Sequence, residues 1–116
     1  MASETHEYSV ADVPTRQRFE IRTGDQLAGF TEYRRSGRLI AFLHTEVASE
    51  FEGHGVASRL ISTALDTAHS QQLSVLPFCP FVRGYIAKHP DAYLELVPAD
   101  LREDFALPAT ASAPQA

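Results

Sequence analysis

The chain has 116 residues, an ordinary hydrophobic fraction of 44% and a formal net charge of -5, which suits one domain with a single core and leaves too little chain for two. That charge argues against a general nucleic-acid binder, for which a basic stripe is expected, and no apolar run approaches the roughly 20 residues that span a bilayer. A single cysteine, Cys79, excludes an internal disulfide and suits a reducing cytoplasm, and Met1 to Asp12 lacks the basic start and apolar stretch of a secretory signal.

In chain order, residues 1–15 are polar without a sustained period and read as a flexible N-terminal segment. Arg18 to Thr23 alternates, with Phe19 and Ile21 on one face; Gly24-Asp25 offers a turn; Gln26 to Arg34 continues the alternation; and Ser36-Gly37 supplies the next turn before Arg38 to Val47. This predicts three antiparallel strands joined by hairpins. The third is apolar on both faces near its middle, with Leu39, Ala41 and Leu43 pointing one way and Ile40 and Phe42 the other, as in a central strand covered by helices. The cations Arg16, Arg18, Arg22, Arg34, Arg35 and Arg38 cluster early and read as solvent-facing charge.

Glu52-Gly53-His54-Gly55 then forms a short loop before an amphipathic run from Val56 to about Ala68, apolar at Ala57, Leu60, Ile61, Ala64, Leu65 and Ala68. Glycines at 53 and 55 allow positive φ and a close ligand approach, and the first helical turn presents unpaired N–H groups at the positive end of its dipole, a seat for a phosphate or pyrophosphate. Neither G-x-x-x-x-G-K-[ST] nor G-x-G-x-x-G fits, because Ser58 stands at the third glycine position. Leu73 to Leu76 is a short strand, parallel to its predecessor after the crossover. Phe81, Val82, Tyr85 and Ile86 recur at helical spacing between Pro80 and Pro90. Residues 91–97 are undecided between helix and strand, and 107–116, rich in Ala, Pro and Ser, read as a flexible tail. The expected domain is 16–106, of α+β class, with antiparallel hairpin strands leading into a strand-helix-strand parallel crossover and helices on the sheet faces.

The run E-G-H-G-V-A resembles the acetyl-CoA pyrophosphate loop of the GNAT superfamily of N-acetyltransferases, [RQ]-x-x-G-x-[GA]: Gly55 and Ala57 fit its small positions, while Glu52 departs from the usual Arg or Gln. His44-Thr45-Glu46-Val47 upstream, with Leu76-Pro77-Phe78-Cys79-Pro80-Phe81-Val82, Tyr85-Ile86 and His89-Pro90 downstream, are similar to a minimal, single-domain GNAT subfamily of roughly hundred-residue proteins. The resemblance spans most of Phe19 to Val97. It implies a GNAT-like minimal core, with the two parallel strands splayed so that a pantetheine arm lies between them. It also implies acetyl-CoA as cosubstrate, held by Val47, Glu52, Gly53, His54, Gly55, Val56, Ala57, Ser58 and Arg59, and an amine acceptor on a small molecule or protein. Monomer or weak homodimer is the expected state.

Acetyl transfer to an amine needs a held donor, a neutral amine and stabilisation of the tetrahedral oxygen. His44 and Glu46, two apart on a strand, leave one face, and either could take the amine's proton. In the minimal subfamily a cysteine at the Cys79 position is a candidate catalytic residue, accepting the acetyl group or standing beside the carbonyl; read alone, a lone cysteine is more often an inert small apolar residue. Arg59 or Arg83 could add a cation for CoA phosphates, and His54 and His89 lack partners at zinc spacing, so no metal is expected. The competing class is a non-catalytic acyl-CoA-binding or protein-interaction module with the same fold.

Overall fold

Five strands form one mixed sheet in the order β1-β2-β3-β4-β5: β1 Ser9–Val13, β2 Arg18–Thr23, β3 Gln26–Ser36, β4 Leu39–Val47 and β5 Ser74–Pro77. The structure, a computed structural model, describes residues 7–110. The first four strands pair antiparallel as a meander, turning at Gly24 and Gly37, both at positive φ. The last pair, β4 with β5, is parallel, as a strand-helix-strand crossover requires. The crossover helix is α1, Val56–Ser70. After β5 come α2, Pro80–Lys88, with proline in its first turn, and a single turn α3, Pro90–Tyr93, followed by a 3₁₀ turn at Leu94–Leu96. These settle residues 91–96 as helical turns, with Val97 extended after them.

The core lies between α1 and the inner face of the sheet. Val56, Leu60, Ile61, Ala64, Leu65 and Ala68 of α1 are buried at helical spacing, opposite Phe19, Ile21, Tyr33, Ile40, Phe42 and Val75. Truncating a fully buried side chain such as Ile61 here is a change that costs about 3 kcal/mol. The outer face is thinner. Leu39 and Leu43 remain 40% and 39% exposed, so the cover expected on both faces of β4 is complete on one only. Arg18 and Arg22 also depart from a plain solvated face: both hydrogen-bond the buried carboxylate of Glu20, and Arg18 lies 4.4 Å from the Phe30 ring centroid. Burial works to raise the pKa of Glu20, but hydrogen bonds and charge from Arg18 and Arg22 prevail and hold it below the usual carboxylate range.

Both ends of the expected domain need correction. Ser9–Val13, read as part of a flexible segment 1–15, is the edge strand β1, paired with β2 along its length. An edge strand gains order from backbone hydrogen bonds to one neighbour, and here only Val10 and Val13 contribute half-buried apolar side chains on it; that is too little for a period-2 signal. At the other end Leu107, placed in the tail 107–116, is buried in the core with Phe105. Residues 1–6 and 111–116 of those segments lie outside the described residues. The Tyr33 hydroxyl donates to Asp12 and so ties β1 to β3 across β2.

Two predictions follow from these ties. Deleting residues 1–13 removes β1 and orphans the Tyr33 hydroxyl, and should lower the unfolding free energy by about 2 kcal/mol or more, read by urea denaturation; unchanged stability would show β1 to be energetically idle. The second concerns Tyr93, whose hydroxyl donates to Asp66 on α1 at 3.0 Å. Burial, that hydrogen bond and the nearby Asp66 charge push its phenol up to about 12. A folded-state value above the unfolded one gives stability fully present below the unfolded value near 10 and lost as pH rises towards about 12. Tyr93→Phe should therefore cost about 1 kcal/mol at pH 7 and show a smaller loss of stability than wild type between pH 9 and 12.

Candidate functional site

The site begins with a break in alternation. Glu32 pairs with His44 but the next residue, Tyr33, pairs with Phe42, so Leu43 is an extra residue in β4, a β-bulge. Before it, Ile40 and Phe42 face the core. After it the phase is inverted: Thr45 lies opposite the fully buried Thr31, and its hydroxyl is 2.9 Å from that of Thr31. His44 and Glu46 are thereby turned outward, on the face shared with Leu39, Ala41 and Leu43.

The parallel pairing of β4 with β5 ends in the same place, at Phe42↔Pro77. One further bond, from the Cys79 N–H to the Phe42 carbonyl at 2.8 Å, closes the paired segment. Pro80 then turns the chain into α2, while β4 runs on to Val47 with no neighbour on that side. The two strands part there. A cleft of about 320 Å³ opens beyond the parting, lined by Thr45 and Val47 of β4, Phe51, the glycine loop, the first turn of α1 and Phe81 of α2.

The loop wall is built from backbone. Gly53 and Gly55 stand at φ 85° and 73°, values that L side chains rarely adopt, and a Cβ on either would meet no protein atom within 4 Å. Gly55 is the N-terminal cap residue of α1, and no side chain caps the helix. The first intrahelical donor is the Arg59 N–H, bonded to the Gly55 carbonyl, so the N–H groups of the preceding turn have no intrahelical acceptor. The cleft thus meets the positive end of a 15-residue helix.

Of the residues the sequence assigns to ligand binding, Val47, Glu52, Gly53, Gly55, Val56, Ala57 and Ser58 line this cleft. His54 and Arg59 do not. His54 is exposed and its N–H bonds the Phe51 carbonyl, and the Arg59 guanidinium donates to the Tyr8 carbonyl at 3.1 Å, pinning the lead-in to β1. Arg83 is also removed from the loop, on the other side of α2. Thr45, Phe51 and Phe81 were missed. Alternation could have found Thr45, since it stands between two residues that share the opposite face; Phe81, 44% exposed beside the buried Val82, sits on the flank of α2 turned from the core.

His44 Nε2 lies 2.7 Å from Glu46 Oε2, with side chains 53% and 60% exposed, and the Phe30 ring flanks the imidazole edge-on at 6.3 Å. Both groups therefore stand in solvent on the outer face. Cys79 is 3% exposed; its sulfur is 3.3 Å from the Thr45 hydroxyl, behind the cleft wall rather than on it. The structure brings His44 and Glu46 together and sets Cys79 apart from them, inward of Thr45.

The family model described as GCN5-related N-acetyl-transferase matches residues 18–96, a span that starts at β2 and takes in the bulge, the glycine loop, the parting strands and α2. More than half of the chain lies within it. The chain belongs to the GCN5-related N-acetyltransferase family, whose common chemistry is acyl transfer.

Proposed function

We propose that this protein is an acetyl-CoA-dependent N-acetyltransferase acting on a primary amine. The observation that carries this reading is the coincidence of the Leu43 bulge with the end of β4–β5 pairing, at the head of a cleft that runs to the uncapped start of α1. The residues fit a long, narrow anionic ligand: N–H groups and small residues at one end for a pyrophosphate, and apolar walls of Val47, Phe51 and Phe81 along the middle for a thioester arm. An extra residue in a bulge is left out of the ladder, so the Leu43 backbone is the donor we assign to the thioester carbonyl oxygen as it gains charge.

The amine then comes from the outer face. Its attack requires a neutral nitrogen, and His44 is the base we assign, with Nε2 held by Glu46 and Nδ1 left for the proton. Cys79 has a different part. Its N–H fixes the point at which the strands part, a bond that any residue but proline supplies, and its thiol faces Thr45 rather than the cleft. Direct transfer is the route we favour, because acetyl-CoA is already activated and holding the amine beside it removes most of the entropic barrier.

Binding is tested by the melting temperature with CoA, since a ligand held by the native state alone raises it. Wild type should shift upward, and Gly55→Val should not. Because valine at φ 73° also strains the free protein, Ala57→Leu is the cleaner variant: it fills the cleft from a helical position and should abolish the shift while leaving the unliganded melting temperature nearly unchanged. Equal CoA affinity of Ala57→Leu and wild type would remove the ligand from this cleft.

Turnover is tested separately by thiol release with an amine panel. His44→Ala should slow it by about 10²-fold or more and Glu46→Gln by less, whereas Cys79→Ala should stay within about threefold of wild type. A CoA-dependent shift without thiol release for any amine would favour the non-catalytic binding module. An acetyl adduct on Cys79, discharged by amine at the turnover rate, would replace direct transfer with a covalent route.

A further inference from the structure

A second cavity, of about 350 Å³, lies on the other side of α2, lined by Leu76, Phe78, Arg83, Leu101, Asp104 and Phe105. It shares no lining residue with the cleft. α2 separates the two: Phe81 points into the cleft, and Arg83, two residues on, into the cavity. The cavity belongs to the outer face, because Leu76 alternates with the buried Val75 and Pro77 and pairs with Ala41. It also abuts the parting of the strands, since Phe78 immediately precedes Cys79, whose N–H ends the paired segment.

Its walls are aromatic and its charge is unspent. Phe78 and Phe105 meet edge-to-face at 5.3 Å between centroids, with Phe78 left 53% exposed. Three arginines of the chain are partly buried: Arg18, Arg83 and Arg102. Arg18 is engaged by Glu20, and Arg102 by the carbonyls of Val97 and Ala109. Among the described residues no hydrogen bond or ion pair engages the Arg83 guanidinium, although the cavity lining it shares is mostly apolar. A partly desolvated guanidinium presents a planar fork of donors, and the group that matches it is a carboxylate. Asp104, exposed on the same lining, adds attraction for the ammonium form in which an amine arrives.

We infer that this cavity is the acceptor site, and that the acceptor is an amine carrying both an aromatic or large apolar group and a carboxylate, as in an aromatic α-amino acid. The inference rests on the acetyl-transfer reading above. The ring packs against the exposed side of Phe78 within the cavity, Arg83 holds the carboxylate, and the amine is left facing the gap between β4 and β5. There the neutral nitrogen, its first proton given to the base, attacks the thioester carbonyl carbon. The C–N bond forms and the C–S bond breaks, the nitrogen sheds a second proton, and the sulfur leaves as thiolate and takes one up.

The test uses the full-length chain, acetyl-CoA, and three acceptors: L-phenylalanine, phenethylamine, which has the ring and amine without the carboxylate, and an end-capped lysine peptide. Thiol release and product mass are followed, and CoA affinity is measured independently by calorimetry. kcat/KM for phenylalanine should exceed that for phenethylamine and for the peptide by about tenfold or more. Arg83→Gln should remove that advantage through KM, Arg83→Lys should restore part of it, and Phe78→Ser should raise KM for phenylalanine, all with CoA affinity unchanged. Equal or better use of phenethylamine or the peptide, or an unchanged KM in Arg83→Gln, would overturn the assignment. So would CoA binding with no transfer to phenylalanine, an outcome that leaves the cleft reading intact; failure of wild type to bind CoA would instead overturn the cleft reading itself.

Discussion

One inserted residue sets the geometry on which the rest depends. Without Leu43 as an extra residue, the alternation of β4 would carry His44 and Glu46 into the core behind Ile40 and Phe42, and would turn Thr45 and Val47 out. Two ionisable groups under α1 would be costly to bury, and the cleft would lose its β4 wall. With the bulge, both halves of the strand turn apolar or hydroxyl side chains inward, and the two ionisable ones, His44 and Glu46, face outward. The phase change therefore serves folding and site geometry together: it keeps the core apolar and leaves a point of unladdered backbone where β4 and β5 separate.

The parting itself follows from proline chemistry and helix geometry. Pro77 ends β5, lacking the N–H that a longer ladder would need, and Pro80 starts α2 with φ already set for a helix. The chain between them is fixed by a single backbone bond, Cys79 to Phe42. A strand held so near its end and then turned into a helix has to leave its neighbour, and the space it vacates is the cleft. On the far wall, α1 contributes the complementary property: a helix that begins at a left-handed glycine, with no side chain over its first turn, has donors to give to a ligand.

Much of this was legible in the letters. The hairpins, the central β4, the crossover helix and the parallel β5 follow from period and turn residues, and the glycine loop marks the start of α1. What was not legible has common causes. Register is a property of two strands, so the Leu43 bulge has no signature in β4 alone; His44 and Glu46 share a face with or without it, and only the pairing with Glu32 and Tyr33 says which face. β1 escaped because an edge strand is held through its backbone, with Asp12 bonded to a tyrosine that is remote in sequence. Leu107 escaped because one apolar residue among Ala and Pro makes no period. Arg59 and Arg83 were both read from charge alone, yet they occupy opposite circumstances, one tied to the Tyr8 carbonyl and the other without a partner among the described residues.

α2 carries more of the architecture than its nine residues suggest. Val82 and Ile86 anchor it in the core, and the two flanks on either side of that buried stripe look into different spaces, Phe81 into the cleft and Arg83 into the outer cavity. A transferase must keep donor and acceptor apart except where they react. Larger proteins can do so with added segments. On the acceptor reading proposed above, the short helix wedged against the end of a strand that has just left its neighbour is what divides the two spaces. Its position depends on the bond from the Cys79 N–H to Phe42 and on the packing of Val82 and Ile86, which are therefore the contacts through which a change in the core would be felt at the site.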